Sequence, residues 1–231
     1  MSPPRSLPST TDASPTTTFP AVLTALTLLA AVVTAVVVAR HDRSFTPVLA
    51  RTQQAVSVLV PFSGVLAVTG LRRPGADVDR RLGPRLVRAA SVAAVWGLVA
   101  ASVAAGTTAA TGGSWPSGTT IVALVTAGVV VQVVAQSTGT GWGLLLRSPR
   151  LACAATIVVP LSVTALLSGA GGGEGPAVRW LTPYGDATTL LSGSAGLAAL
   201  GPLVTVTLLW GVLPNVVGAV RTGHRPRASS G

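Results

Sequence analysis

Residues 71–88, LRRPGADVDRRLGPRLVR, are the stretch of sequence that decides the fold. They combine six of the sixteen cationic residues of the chain with only two acidic residues. The flanking stretches 52–70 and 89–146 contain no ionisable residue. Arginines near the ends of membrane segments remain on the cytoplasmic side, so a basic stretch between two apolar runs predicts a short cytoplasmic loop. A surface loop of a soluble protein is the alternative, but soluble domains rarely have such charge-free flanks. The six basic residues are Arg72, Arg73, Arg80, Arg81, Arg85 and Arg88.

The composition is that of an integral membrane protein. Of the 231 residues, 49% are hydrophobic and 10% are charged, and the mean hydropathy is +0.65, whereas a soluble domain carries about 25% charged residues. The net charge of +10 could indicate a nucleic-acid partner. The arginines, however, cluster at the ends of apolar runs and alternate in density between successive loops, which is the pattern of membrane topology. We therefore expect the chain to contact membrane lipid and no nucleic acid.

Six apolar runs are long enough to cross a hydrocarbon core of about 30 Å at about 1.5 Å per helical residue. A Ser-, Thr- and Pro-rich stretch precedes the first run, and its composition predicts disorder. A secretory signal peptide is the alternative for the first run, but its apolar core would have about 7–15 residues. The sequence thus predicts an all-α, six-helix transmembrane domain over residues 20–221, a disordered cytoplasmic tail over 1–19 and a short basic tail over 222–231. The runs are 21–39, 55–71, 89–106, 121–145, 151–168 and 197–220.

The distribution of arginines over the loops predicts the orientation. Alternate loops hold six, two and three arginines on one side, against three, none and one on the other. With the arginine-rich side inside, both termini are cytoplasmic and the chain is a multi-pass protein of the plasma membrane. The first outer loop, with Arg40, Arg43 and Arg51, does not follow this rule.

The residue types exclude several chemistries. Without a lysine, the chain lacks the Walker-type P-loop that binds nucleotide phosphates. The single cysteine, Cys153, forms no internal disulfide, and His41 and His224 lie among arginines in hydrophilic flanks, so we expect no metal site and no cofactor. None of the six runs contains Asp, Glu, Lys, Arg or His, whereas ion-driven carriers and intramembrane enzymes depend on such groups at membrane depth. We therefore expect a protein that is not an enzyme and that takes energy for any transport from another subunit.

Two amides lie one helical turn apart in the fourth apolar run, at Gln132 and Gln136. They could form hydrogen bonds between helices, or they could mark a polar point on a transport path. We favour the first interpretation, because buried amides commonly join membrane helices.

Two segments resemble the type-2 ATP-binding-cassette (ABC) transporter permeases. Residues 139–150, GTGWGLLLRSPR, are similar to the end of the fourth helix in that family, where a glycine-rich turn, leucines and an arginine precede a fifth helix of small residues. Residues 180–191, WLTPYGDATTLL, resemble the Trp-x-x-Pro stretch before the last helix. The resemblance covers about residues 20–221. The residues that carry it are Gly139, Gly141, Gly143 and Arg147 in the first segment, and Trp180, Pro183 and Tyr184 in the second.

This resemblance implies the fold and role of an exporter permease that works with a second permease copy and a separate ATPase subunit. It places the six arginines of 71–88 at the joint with the ATPase, although they could serve only to hold the loop inside. It also implies that residues 180–191 form re-entrant half-helices near the outer face. The apolar spans suggest a hydrophobic or amphipathic substrate such as a drug, a lipid or a secondary metabolite. Two family features are missing: the amphipathic N-terminal helix and the glutamate of the first cytoplasmic loop.

Two other functions stay open at this point. The chain could be a membrane scaffold or accessory subunit that transports nothing, in which case it would purify without an ATPase. It could also be an intramembrane enzyme, although the serines of its spans have no base within helical reach.

Overall fold

The computed structural model describes residues 18–72, 78–171, 175–193 and 197–223, which form α-helices and no strand. Single 3₁₀ turns lie at Gly70–Arg72 and Leu197–Ala199, and a π-helical segment at Thr207–Val212 joins the last two α-helices. In chain order the α-helices are α1 (Thr18–Ala39), α2 (Phe45–Thr69), α3 (Val78–Ala110), α4 (Gly118–Leu145), α5 (Pro149–Gly171), α6 (Pro176–Leu181), α7 (Pro183–Leu190), α8 (Leu200–Val206) and α9 (Leu213–Gly223).

Within the described ranges, six helical segments are long and apolar enough to cross a membrane: α1 to α5 and the composite helix from α8 to α9. Large apolar side chains cover the outward faces of these segments, as Leu29, Val95 and Leu166 illustrate with exposed fractions of 58%, 58% and 72%. Lipid tails tolerate such faces, whereas water does not. The prediction of an all-α chain with six helices of spanning length is therefore confirmed, and the chain has the character of a multi-pass membrane protein.

Helices α2 and α4 form the centre of the bundle, with α1 and α3 packed on one side. Glycines allow the two central backbones to approach closely. A Cβ atom on Gly64 would lie 2.7 Å from the main-chain oxygen of Gln136, and one on Gly139 would overlap the main-chain oxygen of Pro61. Small residues at such interfaces are the usual basis of helix association in membranes.

The loops between α1 and α2 and between α3 and α4 meet at one end of the bundle. The main-chain nitrogen of Phe45 donates to the oxygen of Ser114 at 3.0 Å, and the rings of Phe45 and Trp115 stack with centroids 5.1 Å apart. The start of α3 and the link from α4 to α5 therefore lie at the opposite end, which carries most of the described arginines.

Helix α3 begins earlier than the sequence predicted. Residues 71–88 were expected to form a loop, but the helix starts at Val78, so four of the six arginines lie on its first turns. Two contacts hold this extension against the bundle. Leu82 packs on the buried cluster formed by Val68, Leu71 and Leu144, and Nη1 of Arg85 donates to the main-chain oxygen of Ala67 at 3.1 Å.

Other predicted boundaries also shift. Helix α2 starts at Phe45, so much of the expected link over 40–51 is helical. Of the two predicted tails, residues 1–17 and 224–231 lie outside the described residues. Residues 18–19 belong to α1, and residues 222–223 belong to α9.

Candidate functional site

A pair of short helices, α6 and α7, precedes the last spanning segment. Thr182 separates them with an extended backbone (φ −122°, ψ 140°), and its hydroxyl oxygen accepts from the main-chain nitrogen of Gly185 at 3.1 Å. Pro183 then occupies the first turn of α7, where its missing N–H costs nothing. Gly185 completes the tight connection, because a Cβ atom there would lie 2.5 Å from the oxygen of Val178.

Two tryptophans, one in the last span and one in α6, connect the helix pair to the last span. Nε1 of Trp210 donates to the main-chain oxygen of Leu181 at 2.9 Å. The ring of Trp180 covers Gly201, where a Cβ atom would lie 2.8 Å from that ring. Leu190 and Leu191 of the pair are buried in a cluster with residues of α4 and of the turn before α8. Helices α6 and α7 are thus fixed parts of the bundle, although neither is long enough to span a membrane.

Helix α7 closes one side of a narrow space among α2, α4, α5 and α8, which we call the crevice. Its volume is about 60 Å³. Most of its lining is apolar, and two of the residues predicted for the outer segment, Pro183 and Tyr184, belong to it. Its polar lining side chains are Gln54, Ser57, Thr138, Thr156, Tyr184 and Asp186.

A larger and more polar cavity, which we call the vestibule, adjoins the crevice. Its volume is about 810 Å³, and the two spaces share Gln54 and Tyr184 as lining residues. Two exposed arginines, Arg51 of α2 and Arg179 of α6, line the vestibule. Nη1 of Arg51 donates to Oε1 of Gln54 at 3.1 Å. Arg51, one of the three arginines of the first outer loop that do not follow the charge rule, thus lines the same cavity as Arg179.

Asp186 is the carboxyl group of this site, and sequence reasoning did not single it out. Its side chain is only 3% exposed, and its Oδ1 is buried without a hydrogen-bond partner. Burial raises the pKa of Asp186 to about 6, and the nearby positive charge of Arg179 partly opposes this rise. Burial also raises the pKa of Tyr184. A signal for Asp186 was present, because it is the sole acidic residue in the sequence 175–223.

The arginines predicted to contact an ATPase divide into two groups. Arg85 is half-buried and caps the last turn of α2 through the Ala67 oxygen, an arrangement that satisfies a terminal carbonyl and suits the helix dipole. Arg81 and Arg88 are exposed and lie seven residues apart, on one face of α3. Arg80 is also exposed. Arg73 and the side chain of Arg72 lie outside the described residues.

The predicted glycine-rich turn is helical. Gly139, Gly141 and Gly143 are buried within α4, which continues to Leu145. A Cβ atom on Gly141 would lie 2.6 Å from Pro214 of α9, and one on Gly143 would lie 2.6 Å from Val68 of α2. These glycines therefore serve close helix packing rather than chain reversal. Arg147 lies exposed in the short link that follows α4.

Gln132 and Gln136 are both buried between α4 and α2. Nε2 of Gln132 donates to the main-chain oxygen of Gln53 at 2.8 Å. With its amide oriented to satisfy its neighbours, Gln136 donates to the main-chain oxygen of Val60 at 2.6 Å and accepts from Oγ of Ser63 at 3.0 Å. These contacts join helices, as the packing interpretation expects. Gln136 also lines a cavity of about 370 Å³ together with Arg85 and Arg88.

Comparisons with known proteins identify no relative: no family model, no curated protein and no solved structure matches this chain. Among the described residues, no three His, Cys, Asp or Glu side chains are placed to hold a metal ion.

Proposed function

We propose that the chain is the membrane-embedded permease subunit of an ABC-type exporter, with a fold like that of the type-2 permeases. In this proposal it pairs with a second permease copy, identical or related, and a separate ATPase supplies the energy. The substrate is hydrophobic or amphipathic. Both termini and the exposed arginines of α3 face the cytoplasm of the plasma membrane.

The observation that carries this proposal is the length of α3. Its 33 residues extend about 50 Å at about 1.5 Å per residue, whereas the hydrocarbon core is about 30 Å thick. Helix α3 is therefore long enough to project about 20 Å beyond the membrane while also spanning it. In this proposal the projecting part is the N-terminal part of α3, which carries the exposed Arg81 and Arg88, and a partner with an acidic groove binds them there.

Helix α3 is also suited to transmit a displacement. It packs directly against α1, α2 and α4, and Nε2 of Gln53 on α2 donates to the main-chain oxygen of Gly97 on α3 at 2.8 Å. In the proposed mechanism, closure of the ATPase pushes on the arginines of α3, and α3 tilts together with α2. Because α2 lines both the crevice and the vestibule, this tilt changes access to them.

The experiment measures ATP hydrolysis by the purified chain. The tagged protein is isolated in mild detergent from membranes of cells that produce it naturally. Since the chain lacks a P-loop lysine, vanadate-sensitive hydrolysis in the eluate has to come from a bound ATPase. We expect such hydrolysis with the unmodified chain, and a decrease of at least five-fold with Arg81→Glu/Arg88→Glu. The matched control, Arg40→Glu/Arg43→Glu, reverses two exposed charges at the opposite end and should retain the activity.

The alternative is a membrane scaffold or accessory subunit that moves nothing. It predicts an eluate without ATP hydrolysis, or hydrolysis that both double variants leave unchanged. Either result would contradict the proposed joint at α3.

A further inference from the structure

We propose that the crevice and the vestibule together bind a zwitterionic amphipath, whose primary ammonium group pairs with Asp186 and whose anionic group lies between Arg51 and Arg179. This inference deepens the proposed function, since it names the substrate class, and to that extent it rests on it. The binding site itself is independent of any ATPase.

One carboxyl oxygen of Asp186 is buried and unsatisfied. A buried carboxylate is costly unless a charge or several hydrogen bonds compensate it. Asp186 is 3% exposed and lines the crevice, and its Oδ1 is buried without a hydrogen-bond partner. A donor that enters the crevice would therefore compensate a carboxyl group that the described residues leave partly unsatisfied, which favours the bound state.

Among the described residues, no cation is held against Asp186 inside the crevice. Two ionisable side chains lie near Asp186. Arg179 belongs to α6, which packs against α7, and Tyr184 belongs to α7 itself. Helix α4 and the described residues 198–206 contain no ionisable residue, and those of α5, Arg150 and Cys153, lie near the opposite end of the bundle. Arg179 acts on Asp186 through space, but its side chain is exposed in the vestibule. The crevice is thus open to an ammonium group from outside.

The volume of the crevice limits the head group that it can hold. A volume of about 60 Å³ has room for about four water-sized spheres, which suits a primary ammonium and its adjacent methylenes. A trimethylammonium group is bulkier and has no N–H to donate to the carboxylate. The crevice should therefore discriminate between the two head groups.

The vestibule is lined by two positively charged side chains. Arg51 and Arg179 would repel a ligand that is only cationic, but guanidinium groups bind phosphate and carboxylate oxygens strongly. At about 810 Å³, the vestibule has room for an anionic group and the start of an apolar chain. A carboxylate in the crevice and two arginines in the adjoining space therefore match a ligand with an ammonium and an anion close together.

The experiment is native mass spectrometry of the detergent-purified chain without an ATPase. The probes are three phospholipids with identical dioctanoyl chains: phosphatidylethanolamine has both charged groups, phosphatidylcholine has a blocked ammonium, and phosphatidic acid has no cation. We expect the chain to bind phosphatidylethanolamine at least five-fold more tightly than either of the other two. Asp186→Asn should abolish the preference for phosphatidylethanolamine over phosphatidylcholine. Arg179→Gln should weaken the binding of both of these zwitterionic lipids.

The control variant is Asp42→Asn, which removes an exposed carboxylate at the same end of the bundle. It should keep the full preference for phosphatidylethanolamine. Thermal unfolding of each variant shows whether it is folded. If Asp186→Asn fails to fold, the test is instead the lipid preference of the unmodified chain, measured at pH 5 and at pH 8. Since the carboxyl has to be ionised to bind an ammonium, the preference should be at least three-fold smaller at pH 5.

Equal binding of the three lipids by the unmodified chain would overturn the proposal, and so would a preference that survives Asp186→Asn or does not change with pH. Glycerophosphoethanolamine carries the same charges without acyl chains. If it competes at the same concentration as the lipid, the ligand is a soluble zwitterion and the amphipath is excluded. Lipid preference without ATP hydrolysis in the eluate would refute the proposed exporter alone, whereas hydrolysis without lipid preference would refute this site alone.

Discussion

The side-chain nitrogen of Gln132 donates two hydrogen bonds to Gln53, one to its main-chain oxygen and one to its Oε1, each 2.8 Å long. Gln53 in turn donates to the main-chain oxygen of Gly97, so a chain of buried amides connects α4, α2 and α3. We predict that Gln53→Met and Gln132→Met are coupled by about 0.6–1.7 kcal/mol in a double-mutant cycle. Thermal or denaturant unfolding in detergent measures the coupling, and additive effects would show that the bond between the two side-chain amides contributes no net stability.

Replacement of Gly139 by alanine should destabilise the bundle. The new Cβ atom would overlap the main-chain oxygen of Pro61, so α2 and α4 would have to separate, at a cost of about 1–3 kcal/mol. Gly106→Ala is the control, because a Cβ atom on Gly106 meets nothing within 4 Å, and alanine there should be neutral or stabilising by up to about 1 kcal/mol. Similar unfolding temperatures for the two variants would contradict the observed contact between α2 and α4.

Asp186→Asn should stabilise the protein, and more at high pH than at low pH. The folded-state pKa of about 6 exceeds the ordinary 3.8, so ionisation of Asp186 is less favourable in the folded state than in the unfolded state. The contribution of Asp186 to stability therefore falls as the pH rises from about 4 to 6, and the full cost is present above pH 6. We expect a gain of about 1–3 kcal/mol at pH 8 and a small gain at pH 4, measured by thermal unfolding.

Asp42→Asn should change the stability in the opposite direction, and it serves as the comparison. Ser44 donates to Oδ1 of Asp42 through its hydroxyl and its main-chain nitrogen, and these bonds lower the pKa of Asp42. The stabilising effect of an ionised Asp42 is therefore present at neutral pH and is lost on acidification. The variant should be slightly less stable than the unmodified chain at pH 8. A gain in stability there would contradict this assignment.

Arg85 and Arg81 should differ in their effect on stability. Because Arg85 donates to the Ala67 oxygen at the end of α2, Arg85→Gln should cost about 1–2 kcal/mol. Arg81 is exposed, so Arg81→Gln should change the free energy of unfolding by less than about 0.5 kcal/mol. Equal losses in the two variants would show that Arg85 is not a specific cap of α2.

Cysteine labelling tests the predicted orientation. In a Cys153→Ser background, Gly83→Cys and Gly118→Cys place single thiols at opposite ends of the bundle, where a Cβ atom meets no neighbour within 4 Å. A membrane-impermeant maleimide should label Gly118→Cys in intact cells, and Gly83→Cys only after permeabilisation. The reverse pattern would place the arginines of α3 outside and would rule out the proposed contact with a cytoplasmic ATPase.

The number and type of the spanning helices could be derived from the sequence alone. Hydropathy is a local property that adds along a segment, so a run of about twenty apolar residues predicts a spanning helix whatever its neighbours are. The composition also excluded a P-loop, since that conclusion needs only the lack of lysine. The helix boundaries were less accurate, because a charged or glycine-rich segment can be helical when other helices pack against it.

The tertiary structure alone decided where α3 starts, what the glycines of α4 do and where Asp186 lies. The first turns of α3 are held by contacts of Leu82 and Arg85 with residues of α2 and α4. Gly139 is helical because its missing side chain lets α2 approach. Asp186 follows a Trp-x-x-Pro pattern that was noted only for its resemblance to a permease family, and in the structure it is buried and lines the crevice. Each outcome depends on contacts between residues distant in the chain, and such contacts cannot be deduced from local composition.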